Sequence, residues 1–266
     1  MPEKDMAKGA SIRFRSYEET IPKLLKLFRF DSEIKKHNSI VLKIQISKEK
    51  EVSTPIEFIE AVLSFIVENK NPVTSVFIAD GADGEDTEAL FETEGFQELA
   101  EKYNIGLIDL NNTETTPVES PKFLKFHTIY YPKILLDSFV ITLTKLEENS
   151  ETTLNGALSS MLGAFPAKHY QGFFSSNKNK IRKFLMKYSI HDILKCKTPD
   201  FSIVDASEFN SILAGLPFDV DKQSSKLMDI PWKEIPYLKL LEETNLKEEE
   251  QNKKKEQEDI DKIIYS

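Results

Sequence analysis

Along the chain, short apolar runs rich in β-branched residues alternate with longer stretches whose apolar positions recur every three or four residues. These are the periods of a strand and of an amphipathic helix. Residues 11–15 set Ile12 and Phe14 between small or charged neighbours, as a short strand would. Ser16 and Glu19 then form a capping box ahead of Ile21, Leu24, Leu25, Leu27 and Phe28, which predicts a helix with one buried face. The run SIVLKIQI over 39–46 predicts a strand. Thr54-Pro55-Ile56-Glu57 predicts a helix start with an N-cap hydroxyl, a proline at the first helical position and a glutamate at the third, followed by Phe58, Ile59, Val62, Leu63, Ile66 and Val67.

The pattern continues with a strand over 73–79 that ends at Asp80-Gly81, a helix over 88–103 and a strand over 105–110. Residues 111–121, rich in threonine, asparagine and proline, read as a loop. Beyond it the pattern predicts strands over 123–131, 138–144 and 200–205, and helices over 152–162, over 178–194 with a break near Ser189, and over 221–228. Strand and helix alternating at these spacings predict an α/β fold built on a mostly parallel sheet with helices on both faces. The expected organisation is one α/β domain over 1–241, with sub-lobes 1–121 and 122–241, and a charged tail over 242–266 that is helical or disordered. Between 242 and 262 the tail has nine acids and five lysines, too polar to pack a core. It is expected to be a solvated segment, or alternatively an acidic docking site for a protein partner closed by Ile263, Ile264 and Tyr265.

Composition narrows the chemistry. The chain of 266 residues carries a net charge of −9, so nothing global favours nucleic acid or an anionic membrane as partner. No apolar run is long enough to span a membrane, and residues 1–14 lack the apolar stretch of a signal peptide, so a cytoplasmic protein is expected. The single cysteine, Cys196, excludes an iron–sulfur cluster held within this chain. Neither GxxxxGK[ST] nor GxGxxG occurs, and His37, His127, His169 and His191 lack metal-ligand spacing. Only four arginines, Arg13, Arg15, Arg29 and Arg182, supply planar forks for phosphate or carboxylate.

The segment ADGADGEDT over 79–87 falls directly after a predicted strand, where open α/β sheets bind ligands. Asp80 and Asp83 there, with Asp109 and Asp221, are candidate ligands for Mg²⁺ or Ca²⁺, or acid/base groups if burial raises one of them. Thr54, Asp80, Gly81, Lys145 and Asp205 are candidate contacts to a small polar ligand. The competing reading makes Gly81 and Gly84 turn residues, Asp86 or Thr87 the cap of the next helix, and Lys145 a surface lysine.

Several segments in order resemble the domain-of-unknown-function family 362: SIVLKIQI, the Thr54-Pro55 helix start, VFIADG, FETEGFQELAEKYNIGLIDLN, DSFVITLTKL, ALSSMLG, FSIVDA and AGLPFDVDKQSSKLM. The resemblance implies an α/β fold. Many members carry ferredoxin-type cysteines, which this chain lacks. It has Lys43-Ile44-Gln45 where the family has Lys-Pro-Asn, Lys145-Leu146-Glu147 where it has Lys-x-His, and Ser159-Ser160 where it has Lys-Asn. Of the family's polar positions Thr54, Asp80, Asp205 and Asp221 survive, with Lys145 beside them. Two functions are compatible with that residue set: a protein acting on a small polar ligand or divalent cation at the strand ends, and a non-catalytic interaction protein that kept the fold.

Overall fold

The computed structural model describes residues 9–248. In chain order the elements are β1 (Gly9–Arg13), α1 (Tyr17–Leu27), α2 (Phe30–Glu33), β2 (Ser39–Lys43), α3 (Ile56–Asn69), β3 (Ser75–Asp80), α4 (Thr87–Thr93), α5 (Phe96–Tyr103) and β4 (Gly106–Asp109). There follow β5 (Thr115–Glu119), β6 (Thr128–Pro132), α6 (Lys133–Asp137), β7 (Phe139–Lys145), β8 (Glu147–Asn149), β9 (Thr153–Asn155), α7 (Ala167–Tyr170), α8 (Met186–Cys196), β10 (Phe201–Ala206), β11 (Ser211–Gly215) and α9 (Pro217–Leu227). A last helix covers 236–248.

Seven strands form one sheet in the order β1-β11-β10-β7-β2-β3-β4. From β10 to β4 every pairing is parallel, while β11 runs antiparallel to both its neighbours. The sheet takes strands from both halves of the chain, since β7, β10 and β11 share it with β1 to β4. Both faces are covered. Ile40, Leu42, Ile78, Ile141 and Ile203 pack with Leu24, Phe58, Val62 and Leu99 on one side. Val41, Ala79, Val140 and Val204 pack with Tyr131, Met161, Phe165, Ile190, Val220 and Leu238 on the other. A strand buried on both faces reads as a continuous apolar run, and so Ile40-Val41-Leu42 and Phe139-Val140-Ile141 are apolar at successive positions. No helix among the described residues is long and apolar enough to cross a membrane.

Several elements differ from the expectation. The stretch over 88–103 is two helices, because Gly95 turns left-handed at φ 81 between α4 and α5. The expected loop over 111–121 contains β5, which pairs with β6 in an antiparallel hairpin. Residues 152–162 are not a helix. Asn149 and Ser159 side chains bind nearby backbone groups, the Asp221 carboxylate takes the N–H groups of Ala157 and Leu158, and the chain forms β9 and a 3-10 turn, Ser159–Ala164. The stretch from Lys178 is a 3-10 turn, Asn179–Lys183, followed by α8, with Ser189 buried and donating to the Ile181 carbonyl rather than marking a break. β11 was not expected, and α9 begins at Pro217 rather than 221. The tail is helical to 248, and residues 249–266 of the tail reading lie outside the described residues.

Candidate functional site

The parallel strands all end at one edge of the sheet. The register sets Asp80 beside Asp109 and Lys145 beside Asp205, with the end of β2 at Lys43 between the two pairs. From β2 the chain builds outward through β3 and β4, whereas β7 and β10 extend the sheet the other way. The reversal falls between β2 and β7, the kind of place where open parallel sheets leave a crevice at their carboxyl ends.

A cavity of about 210 Å³ opens beside that position, over the ends of β2 and β3. Its walls are Lys43 to Ser47 after β2, Asp80 to Glu85 after β3, the segment after β7 from Asn149 to Gly163, and Lys178, Ile181 and Arg182. It is smaller than the roughly 300–1,000 Å³ of drug-sized ligand sites, and so fits a molecule of few atoms.

Three ionisable side chains at its base are shut off from solvent: Lys43 is 1% exposed, Asp80 3% and Lys178 1%. Lys43 Nζ lies 2.6 Å from Asp80 Oδ1 and donates to the Ile44 carbonyl at 2.6 Å. The second Asp80 oxygen accepts the Ile46 N–H at 2.8 Å. Lys178 Nζ donates to the Gly81 carbonyl at 2.6 Å and to the Gly163 carbonyl at 3.2 Å. Burial pushes its amine down to about 8, with neighbouring Lys43 acting in the same direction and Asp80 and Asp83 opposing. Glycines permit this crowding. A Cβ on Gly163 would sit 2.5 Å from Asp80 Oδ1 and 2.7 Å from Lys43 Nζ, and one on Gly81 would sit 2.5 Å from the Gly163 carbonyl oxygen.

At the rim, Asp83 accepts the Lys178 backbone N–H at 2.7 Å and pairs with Arg182 at 2.6 Å. Arg182 also meets Glu151 through two N–H groups at 2.7 and 2.8 Å, and these carboxylates hold its guanidinium firmly charged. Ser176 Oγ donates to the Gly84 carbonyl, which ties the segment before Lys178 to the turn after β3. That turn is itself closed by Thr87 Oγ1, which accepts from Ala82 N–H and Asn111 Nδ2, while Asp86 caps α4 through Ala89 N–H.

The candidate residues do not form one acidic rim. Gly81 and Asp80 line the cavity, and Asp83 stands at its rim. Thr54 does not cap α3, whose side-chain cap is missing. Its hydroxyl accepts the Gln45 N–H and donates to the Leu143 carbonyl, stitching β2 to β7. Lys145 pairs with Glu208 at 2.9 Å and, with Thr54, borders a separate cleft of about 300 Å³. Asp205 accepts from Tyr17 Oη at 2.8 Å and from Ser207 N–H. Asp109 closes its own turn through Asn111 N–H and Asn112 Nδ2. Asp221 is buried beneath 157–158, where it also accepts Tyr237 Oη and its carboxyl is pushed up to about 6 by burial. Among the described residues, no three carboxylate, imidazole or thiol groups gather in a way that could hold a metal ion. Cys196 has its thiol pushed up to about 12 by burial, which leaves little thiolate at neutral pH.

Sequence reasoning missed Lys43, Lys178 and Arg182. Lys43 left a signal, a lysine set between Leu42 and Ile44 in a mostly apolar run. Lys178 left none, because it lies among polar residues on an irregular segment and reaches the site only through the fold.

A family model matches residues 40–212, about two thirds of the chain and every wall of this cavity. The chain belongs to the family described as "Domain of unknown function (DUF362)". Asp221 lies beyond the matched span. No curated protein matches. Among solved structures the lactate racemase apoprotein from Thermoanaerobacterium thermosaccharolyticum is similar, with a TM-score of 0.55 at 13% identity over 88% of this chain. The match covers 59% of that protein, so this DUF362 chain spans less than two thirds of its length. At that identity the likeness is one of fold.

Proposed function

We propose that this chain binds a small polar organic molecule in the cavity over the ends of β2 and β3. The observation that carries the reading is the burial of Lys43, Asp80 and Lys178 together at the base of a solvent-open cleft. A buried ion pair is a poor device for stability, because well-packed apolar side chains of similar size commonly serve as well or better. A perturbed amine beside such a pair in a cleft is instead a mark of a functional site. The remaining walls offer Gln45, Ser47, Asn149, Asn155 and Ser160, groups that hydrogen-bond a polar ligand rather than shield an apolar one.

The test is thermal unfolding against a panel of hydroxy acids, keto acids, amino acids and small sugars. A ligand at 100 times its dissociation constant adds about 2.7 kcal/mol, a shift of several degrees. A compound that stabilises the wild type and not the Lys178→Met variant supports the reading. No stabilising compound, or equal stabilisation of both proteins, counts against it. Mg²⁺ or Ca²⁺ alone is expected to give no shift, since Asp80 is already held by Lys43.

One observation favours a second reading, an interaction protein. Phe173 and Phe174 are 93% and 96% exposed and pack edge to face at 4.8 Å. They lie in a stretch, 152–191, that has no acid and six lysines or arginines in a chain of net charge −9. Such a pair fits an acidic protein partner with an apolar contact. Retention of a partner by the wild type and its loss from the Phe173→Ser/Phe174→Ser variant would favour this reading.

A further inference from the structure

Among the described residues, Lys178 Nζ has two hydrogen-bond acceptors, the carbonyl oxygens of Gly81 and Gly163, and no carboxylate in contact. An ammonium has three N–H groups to place, whereas a neutral amine has two and a lone pair. Two carbonyls therefore satisfy the neutral amine completely and leave the lone pair as its third position. Lys43 differs: one of its two partners is the Asp80 carboxylate, a counter-ion that Lys178 lacks. Both lysines approach Gly163, one at the carbonyl oxygen and one where a Cβ would stand. The site thus holds a lysine paired with a carboxylate next to an amine that burial drives toward neutrality.

We propose that Lys178 Nζ is a nucleophile that captures a small carbonyl compound as an imine in this cavity. The inference rests on the reading of the cavity as a ligand site and deepens it by naming the substrate class: short aldehydes or ketones with polar substituents. The Nζ lone pair adds to the carbonyl carbon, and the carbon–oxygen π bond becomes a carbinolamine hydroxyl. That oxygen then leaves as water, carrying the two protons that began on the amine, and a carbon–nitrogen double bond remains. No oxidant, reductant or metal enters the balance. The neutral amine needed for the first step exists near neutral pH because Lys178 is buried. The backbone carbonyls fix where the amine sits, and the Asp83 contact to the Lys178 N–H fixes the segment that delivers it.

The experiment is borohydride trapping on the full chain with glycolaldehyde and, separately, with pyruvate, followed by intact mass and peptide mapping. One reduced adduct, mapped to Lys178, is expected, formed faster as pH rises by about tenfold per unit below 8 and levelling above it. The two probes distinguish a hydroxylated from a carboxylated carbonyl as the better substrate. Lys180→Met, which removes an exposed neighbour, is expected to leave the adduct intact, and Lys178→Met to abolish it. Because mapping is done on the wild type, the result does not depend on either variant folding. An adduct spread over Lys180, Lys183 and other exposed lysines overturns the proposal, as does a single adduct elsewhere. A compound that stabilises the protein through Lys178 without trapping at it sinks the imine and leaves the ligand site standing. Neither stabilisation nor an adduct at Lys178 sinks both.

Discussion

Lys43 and Asp80 meet at 2.6 Å across the ends of β2 and β3, and neither side chain sees solvent. Removing one partner strands the other charge in the interior. Lys43→Met and Asp80→Asn are each expected to lose about 3–5 kcal/mol in denaturant unfolding, and Lys43→Met/Asp80→Asn much less than the two losses combined. Additive losses would show that the pair is not coupled.

Lys178 should behave in the opposite way although it shares the same cavity. Its amine is pushed down to about 8 in the folded chain, below its ordinary value, so the folded state carries a buried-charge cost that is full below 8 and vanishes as pH rises toward 10.5. Lys178→Met is therefore expected to be as stable as the wild type or more so at pH 7, with the difference narrowing as pH rises through 8 to 10. Unfolding by urea at pH 7 and pH 9.5 checks this, and a constant difference between the proteins would contradict it.

Gly163 is expected to tolerate no side chain. Its missing Cβ leaves room for Asp80 and Lys43, both locked by partners, so Gly163→Ala should cost about 1–3 kcal/mol through overpacking. Combining it with Lys43→Met relieves the contact with Nζ but not the one with Asp80 Oδ1, so the measured costs should fall only partly short of additivity.

Asp221 has its carboxyl raised to about 6 by burial while it accepts from Ala157, Leu158 and Tyr237. A raised acid favours the protonated form in the fold, so its contribution to stability is greatest below about 4 and is lost as pH climbs through 6. The stability of the wild type minus that of Asp221→Asn should decline across this window. A flat difference would mean that Asp221 does not titrate there.

Asp205 sits at a strand end, yet it is spent on structure, with Tyr17 Oη at 2.8 Å joining α1 to β10. Tyr17→Phe should cost about 1.5–3 kcal/mol, the range for a hydrogen bond to a charged group, and leave ligand binding in the cavity unchanged. Loss of ligand affinity in that variant would bring Asp205 back into the site.

The layered α/β plan is legible in the local pattern of the chain. The β-branched runs at β2, β3 and β7 and the helical period of α1 and α3 are local patterns, and both follow from how side chains project from the backbone. The sequence also placed Asp80 and Gly81 at a strand end. It could not show β11, five residues whose antiparallel place comes from β1 and β10 on either side, nor the irregular path over 152–164, where side chains such as Asp221 replace helix bonds. The composition of the site was likewise out of reach. An acidic loop looks like a cation site when only its own carboxylates are counted. Tertiary structure brings Lys43, Lys178 and Arg182 against those acids from positions up to 139 residues apart, counted from Lys43 to Arg182. Burial then decides which of these groups stays charged, and burial is a property of the packed chain and not of any segment of it.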